Sequence, residues 1–221
     1  MHSAIGRGIE TQPRKRYWSL GVAVVAVALD LLLVNCSYAY ERFRPTLALF
    51  AFALTVYLQE GNLKSLGLQA RPRQGWAIWV KTSIQIGLII VVCIGAGWGI
   101  WYRLGHEIPF RFFEPRHFFH FLPGSCIEAP LQEETIYRIV ICVSLNGLIG
   151  ERATIAVSGS LFALLHVFYG NPSPENLLGG FFLAWTFLKS ETILIPVLLH
   201  SVGNLLVLIS HSIAWYVLVW Y

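Results

Sequence analysis

Between residues 18 and 38 the chain carries one charged side chain, Asp30. An α-helix needs about 20 apolar residues to cross the hydrocarbon core of a bilayer, where every backbone N–H and C=O must be satisfied within its own segment. Further apolar runs follow at 45–58, 76–102, 125–148, 154–169, 176–188 and 192–214. The pattern predicts an all-α fold, a polytopic transmembrane helical bundle with about seven spans, six and eight being the neighbouring counts. The run 45–58 is short for a crossing, so it must borrow flanking residues or meet a thin patch of bilayer. Residues 206–221 either finish the last span or form a half-span. Only 13% of the residues are charged, against about 25% in a soluble domain, which makes lipid the main solvent.

Charge sets the topology. Residues 1–16 form a tail with Arg7, Arg14, Lys15 and Arg16. The apolar run behind it exceeds the ~7–15 residues of a signal-peptide core, and no small-residue cleavage site follows, so a retained first span is expected. With the tail in the cytoplasm, ten Lys and Arg fall near cytoplasmic ends, namely Arg7, Arg14, Lys15, Arg16, Lys64, Arg71, Arg73, Lys81, Arg152 and Lys189. Five fall on the other side, Arg42, Arg44, Arg103, Arg111 and Arg116, so the positive-inside rule favours a cytoplasmic N-terminus in a multi-pass cell-membrane protein, inner or plasma. The basic residues form no continuous patch, which excludes a nucleic-acid partner despite the net charge of +4.

Several features have plain structural explanations. Cys36, Cys93, Cys126 and Cys142 lack the close spacing of a zinc knuckle and read as small core residues. Gly95 and Gly99 have the small-xxx-small spacing that lets membrane helices approach. The stretch 103–123 mixes Phe110, Phe112, Phe113, Phe118, Phe119 and Phe121 with Arg111, Arg116 and three histidines, and reads as an interfacial segment. His106, His117 and His120 are spaced too loosely for a metal site and read as its polar rim. Asp30 is expected to hydrogen-bond in packing rather than to serve a remote site.

The fourth span holds Glu133, Glu134 and Arg138, three ionisable groups that cost about 2.5–3.5 kcal/mol each at the centre of a membrane. Glu134 and Arg138 lie one helical turn apart and can neutralise each other; Glu133 is rotated away by about 100° and needs another partner. The fifth span places Phe162 one turn from His166, and the seventh places His200 one turn from Asn204. A carboxylate, two imidazoles and a carboxamide on three helices are the parts that peptide hydrolysis requires: a base for water, and donors for the carbonyl oxygen.

These residues also form Glu-Glu-x-x-x-Arg, Phe-x-x-x-His and His-x-x-x-Asn in order, with Gly179, Gly180, the run Lys189, Ser190, Glu191, Thr192, and Pro196 between the second and third. Over residues 124–205 the sequence resembles the CAAX-protease and bacteriocin-processing (CPBP, or Abi) family. Residues 17–123, the first three spans and the interfacial loop, match it only in hydropathy. The resemblance implies an intramembrane endopeptidase of glutamate type. In it Glu133 and His166 activate water, His200 and Asn204 form the oxyanion site, and Glu134, Arg138 and Phe162 give structural support. Some descriptions of the family make it a metalloprotease, in which case Glu133, His166 and His200 would be zinc ligands. The sequence has no His-Glu-x-x-His helix, and no cofactor is expected.

The resemblance also implies a membrane-tethered peptide or protein as substrate, either a prenylated CAAX tail, a bacteriocin-type leader or a C-terminal sorting tail. Two other classes remain open: a transporter or proton-relay protein, which would spread charge along several helices, and a non-proteolytic membrane chaperone or immunity factor. Helix depths place the site near mid-membrane or in the non-cytoplasmic half, with a water-filled cavity expected from that side.

Overall fold

The computed structural model describes residues 3–36, 42–106 and 114–219. Among the described residues there are seven helices: α1 (Pro13–Cys36), α2 (Arg44–Leu58), α3 (Trp76–Arg103), α4 (118–149), α5 (Glu151–Phe168), α6 (Pro174–Ser190) and α7 (Leu194–Val219). Of these, α1, α3 and α7 are long and apolar enough to cross a membrane, and α2 is a shorter apolar helix. Among the described residues the one pairing of extended backbone is an isolated bridge between Leu68 and Thr192.

The boundaries follow local chemistry. Pro45 starts α2, where a missing N–H costs nothing. Gly150, at φ +78°, both ends α4 and starts α5, a reversal that a side chain would resist. Pro174 opens α6 after an extended Ser173. The stretch 103–123 divides differently from the interfacial segment expected of it. Arg103 ends α3, Phe110, Arg111, Phe112 and Phe113 lie outside the described residues, and Pro115–His117 form a 3-10 turn running straight into α4. Pro123 sits inside that helix, where its ring removes a hydrogen bond. Two π-helical stretches follow, Gly124–Glu128 and Thr135–Cys142.

α4 is the axis of the fold. Its residues Ile136, Tyr137 and Ile141 join Val27 of α1, Ala48 of α2 and Leu165 of α5 in one buried cluster. Along α1 it is tied at three depths: Arg16 to the Gly147 carbonyl, Ser144 to the Ser19 carbonyl at 3.0 Å, and Tyr137 to Asp30 at 3.1 Å. α5 and α6 are clasped by two reciprocal glycine–phenylalanine contacts. The ring of Phe181 on α6 lies over Gly159, and Phe162 on α5 lies over Gly180, where a β-carbon would come within 2.7 Å of the Phe162 side chain. α3 stands outside the cluster. Trp79 is its one buried residue among those described, 5.8 Å ring to ring from Trp185 of α6. Among the described residues, a β-carbon at Gly95 or Gly99 would meet nothing within 4 Å, so the helix approach expected of their spacing is not seen there.

One end of the bundle is closed by the N-terminal segment. Ile5 and Ile9 are buried, Gly6 N–H donates to the Ser65 carbonyl at 2.9 Å, and Asn146 donates to the Ile5 carbonyl at 2.7 Å. The Ala4 N–H and Arg73 both donate to Oε1 of Glu191, at 2.9 and 3.0 Å. Those bonds hold Glu191 in a left-handed conformation (φ 56°) that is uncommon for a residue with a side chain. The tail, the α2–α3 loop, the α4–α5 reversal and the α6–α7 turn therefore share one end, as successive helices of alternating direction require.

Candidate active site

Glu133 and Glu134 close the α-helical stretch Ala129–Glu134, and the π-helical stretch begins at the next residue. A wider helix frees carbonyls from their usual partners, and that of Tyr137 accepts from Ser158 Oγ of α5 at 2.8 Å. Ser158 in turn accepts from Arg138 at 2.7 Å, which fixes the guanidinium. Arg138 Nε then donates to Glu134 Oε2 at 2.8 Å, with both side chains fully buried. The pair expected from the four-residue spacing is therefore formed.

Glu134 also reaches across the bundle. Its Oε1 lies 2.8 Å from Nδ1 of His200 on α7. A carboxylate can only accept there, so Nδ1 carries the hydrogen and Nε2 faces the other way, 3.9 Å from Glu133 Oε2. His166 is oriented by its own helix: Nδ1 lies 3.0 Å from the Phe162 carbonyl, which again puts the hydrogen on Nδ1 and leaves the Nε2 lone pair free. Both tautomers are assigned from the acceptors they face.

Phe162 holds these groups together. Its ring centroid is 4.5 Å from that of His166, 5.7 Å from that of His200 and 5.1 Å from the Arg138 guanidinium carbon. It does so because Gly180 lets α6 press against it. Asn204 is less closely drawn in. One turn beyond His200, it spends one amide hydrogen on the Ser125 carbonyl at 2.7 Å and keeps the other. Glu133 and His166 are joined by no hydrogen bond among the described residues; the contacts that link them run from Glu133 to His200, from His200 to the Phe162 ring, and from that ring to His166.

Two residues belong to this cluster that the sequence motifs do not contain. Arg44, the first residue of α2, was counted as a flanking surface cation, yet it is buried. Its Nε and Nη2 grip Asp30 of α1 at 2.7 and 3.2 Å, its Nη1 donates to the Tyr169 hydroxyl, and the same Nη1 lies 3.7 Å from Glu133 Oε1. Asp30 does hydrogen-bond in packing as expected, but its partner links it to the site. An isolated carboxylate in an apolar run must find a cation, and that was the available signal. The ledger of buried charges is uneven: Asp30 holds Arg44, Glu134 holds Arg138, and Glu133 is the carboxylate without a guanidinium of its own.

Among the described residues no group of three His, Cys, Asp or Glu side chains is placed to hold a metal ion. Glu133, His166 and His200 would offer a carboxylate and two Nε2 atoms, each imidazole held through Nδ1, but Oε1 of Glu133 faces the Arg44 guanidinium, whose charge repels a dication. No curated protein and no solved structure matches the chain. Residues 115–206 match a protein family described as Rce1-like, type II CAAX prenyl endopeptidase, and the match contains all three motifs but neither Asp30 nor Arg44.

Proposed function

We propose that, in a chain whose residues 115–206 match a family described as Rce1-like, type II CAAX prenyl endopeptidase, the buried cluster hydrolyses peptide bonds of membrane-tethered substrates by a water that Glu133 and His166 activate. The observation that carries this is Glu133 itself. It is buried, it makes no hydrogen bond among the described residues, and its oxygens stand 3.7 and 3.9 Å from Arg44 and His200. A buried carboxylate left with that capacity is placed to bind and deprotonate water.

The steps follow from the donors and acceptors. Water gives one proton to Glu133 while its other O–H donates to the free Nε2 of His166, which orients the oxygen. The resulting hydroxide attacks the scissile carbonyl carbon. The oxyanion accepts hydrogen bonds from the remaining Asn204 amide hydrogen and from His200 Nε2 in its protonated form, with Glu134 and Arg138 keeping the imidazole in place. Collapse breaks the C–N bond, and the proton held by Glu133 passes to the leaving nitrogen. In this reading water reaches the site from the end opposite the N-terminal segment, where Arg44 lies 3.7 Å from Glu133 and donates to the Tyr169 hydroxyl.

A proton-relay role would string charges along separate helices. Asp30 instead turns inward onto the same cluster through Arg44, which favours one reaction centre over a path. The family points to a CAAX-like C-terminal tail as substrate, with leaders and sorting tails as the other candidates. The test uses purified protein in nanodiscs with a panel of three peptides: a farnesylated CAAX peptide, a bacteriocin-type leader and a C-terminal sorting tail. Glu133→Gln keeps the side chain's size and should lower cleavage by about 10²-fold or more, with melting unchanged. Near-normal cleavage by that variant overturns the assignment.

A further inference from the structure

Asp30 of α1 and Arg44 of α2 lie outside the segment that carries the family match, and yet Arg44 stands 3.7 Å from its central carboxylate. The guanidinium is held from three sides without help from Glu133. Asp30 accepts from Nε and Nη2, the Tyr169 hydroxyl accepts from Nη1, and the Tyr169 ring lies 5.2 Å from the guanidinium carbon. Asp30 is itself fixed by the Tyr137 hydroxyl at 3.1 Å. A group so fully tied is a preorganised charge, and its free edge is turned to Glu133 at a distance too long for a hydrogen bond and short enough for strong attraction in a buried site.

We propose that Arg44, locked by Asp30 and Tyr169, is a positioning residue for Glu133, so that α1 and α2 are working parts of the reaction centre rather than its anchor in the membrane. This rests on the hydrolytic reading above. A hydrogen-bonded arginine would occupy a carboxylate oxygen that water needs. One at 3.7 Å attracts that oxygen and leaves its lone pairs open. The bare alternative is that Arg44 only satisfies Asp30 in an apolar span.

The two are separated by removing both charges together. Asp30→Asn with Arg44→Gln strands no ion, so a merely structural pair predicts that the double variant recovers both melting and cleavage. The positioning role predicts a stable protein whose kcat falls about 10²-fold, the cost of a misplaced catalytic group, with KM within about threefold because Arg44 touches no substrate. Arg44→Lys keeps the charge but loses the planar fork that Asp30 and Tyr169 hold. It should fall between the two, about tenfold below wild type. Wild-type kcat in the double variant, or a rise in KM in place of the fall in kcat, overturns the proposal. Should the double variant fail to fold, Arg44→Lys decides, and a full kcat there overturns it equally. A wild-type protein that cleaves none of the three peptides removes the hydrolytic reading and this proposal with it. Cleavage by wild type and variant alike removes this proposal alone.

Discussion

Glu133 and Glu134 are sequence neighbours, but a helix turns about 100° per residue, so their carboxylates face different helices. One meets Arg138 and His200, the other Arg44. That geometry bears on metal use. A zinc ion would sit about 2.0–2.2 Å from a Glu133 oxygen that has a guanidinium beside it, a position the fixed charge of Arg44 makes unfavourable. Cleavage of the preferred peptide should therefore survive excess chelator at full rate. Loss with chelator, restored by zinc, would turn Glu133, His166 and His200 into ligands. At this scale the three motifs named every residue they contain, because spacing of four on a helix is legible from sequence alone. Arg44 was not legible. It follows residues with no apolar pattern and opens a helix, the usual place of an interfacial cation, and only the isolated Asp30 pointed to a buried partner.

Among the elements, α5 and α6 show how packing serves the site. Gly180 exists in contact with Phe162, and Phe162 separates and orients His166, His200 and Arg138. Gly180→Val should push that ring off its seat, costing about 1–3 kcal/mol of stability and lowering cleavage more than tenfold. Gly179→Val meets open space and should change neither. Equal effects of the two substitutions, read by thermal melting and by cleavage, would mean that the contact with Phe162 carries no special weight. The apolar runs gave α1, α2, α3 and α5–α7 to within a few residues, since burial in lipid leaves little room for other patterns. The start of α4 escaped, because Arg116, His117 and His120 make its first turns look like a surface loop. Its π-helical stretches escaped too: they arise from tertiary contacts such as Ser158 on the Tyr137 carbonyl, which leave no mark on local periodicity.

For the molecule as a whole, the meeting of the N-terminal tail and three turns at one end links each helix's direction to the others. The cytoplasmic assignment of that end is tested by cysteine labelling of whole cells with an impermeant thiol reagent. A background without the exposed Cys36 and Cys93 is needed. Ser65 is buried and bonded to Gln59, so Asn62→Cys is the better probe of the α2–α3 loop and Pro172→Cys of the opposite end. Labelling is expected at position 172 and not at 62; the reverse result would invert the whole chain in the membrane and the direction from which water enters.

The strap made by the first residues has a meaning for how the protein comes into being. Helices enter a membrane in the order of their synthesis, but Ala4 closes on Glu191, 187 residues downstream. The segment thus docks first on the α2–α3 loop and α4, and its bond to Glu191 waits for the α6–α7 turn to be made. Leu66 and Ile139 cover Ile5 from the earlier part of the chain, and its burial is completed only when Ala184, Phe187 and Leu188 of α6 join them, so that end of the bundle is sealed after α6 has been made. A newly inserted chain would carry its charged cluster within an unlatched bundle until that moment.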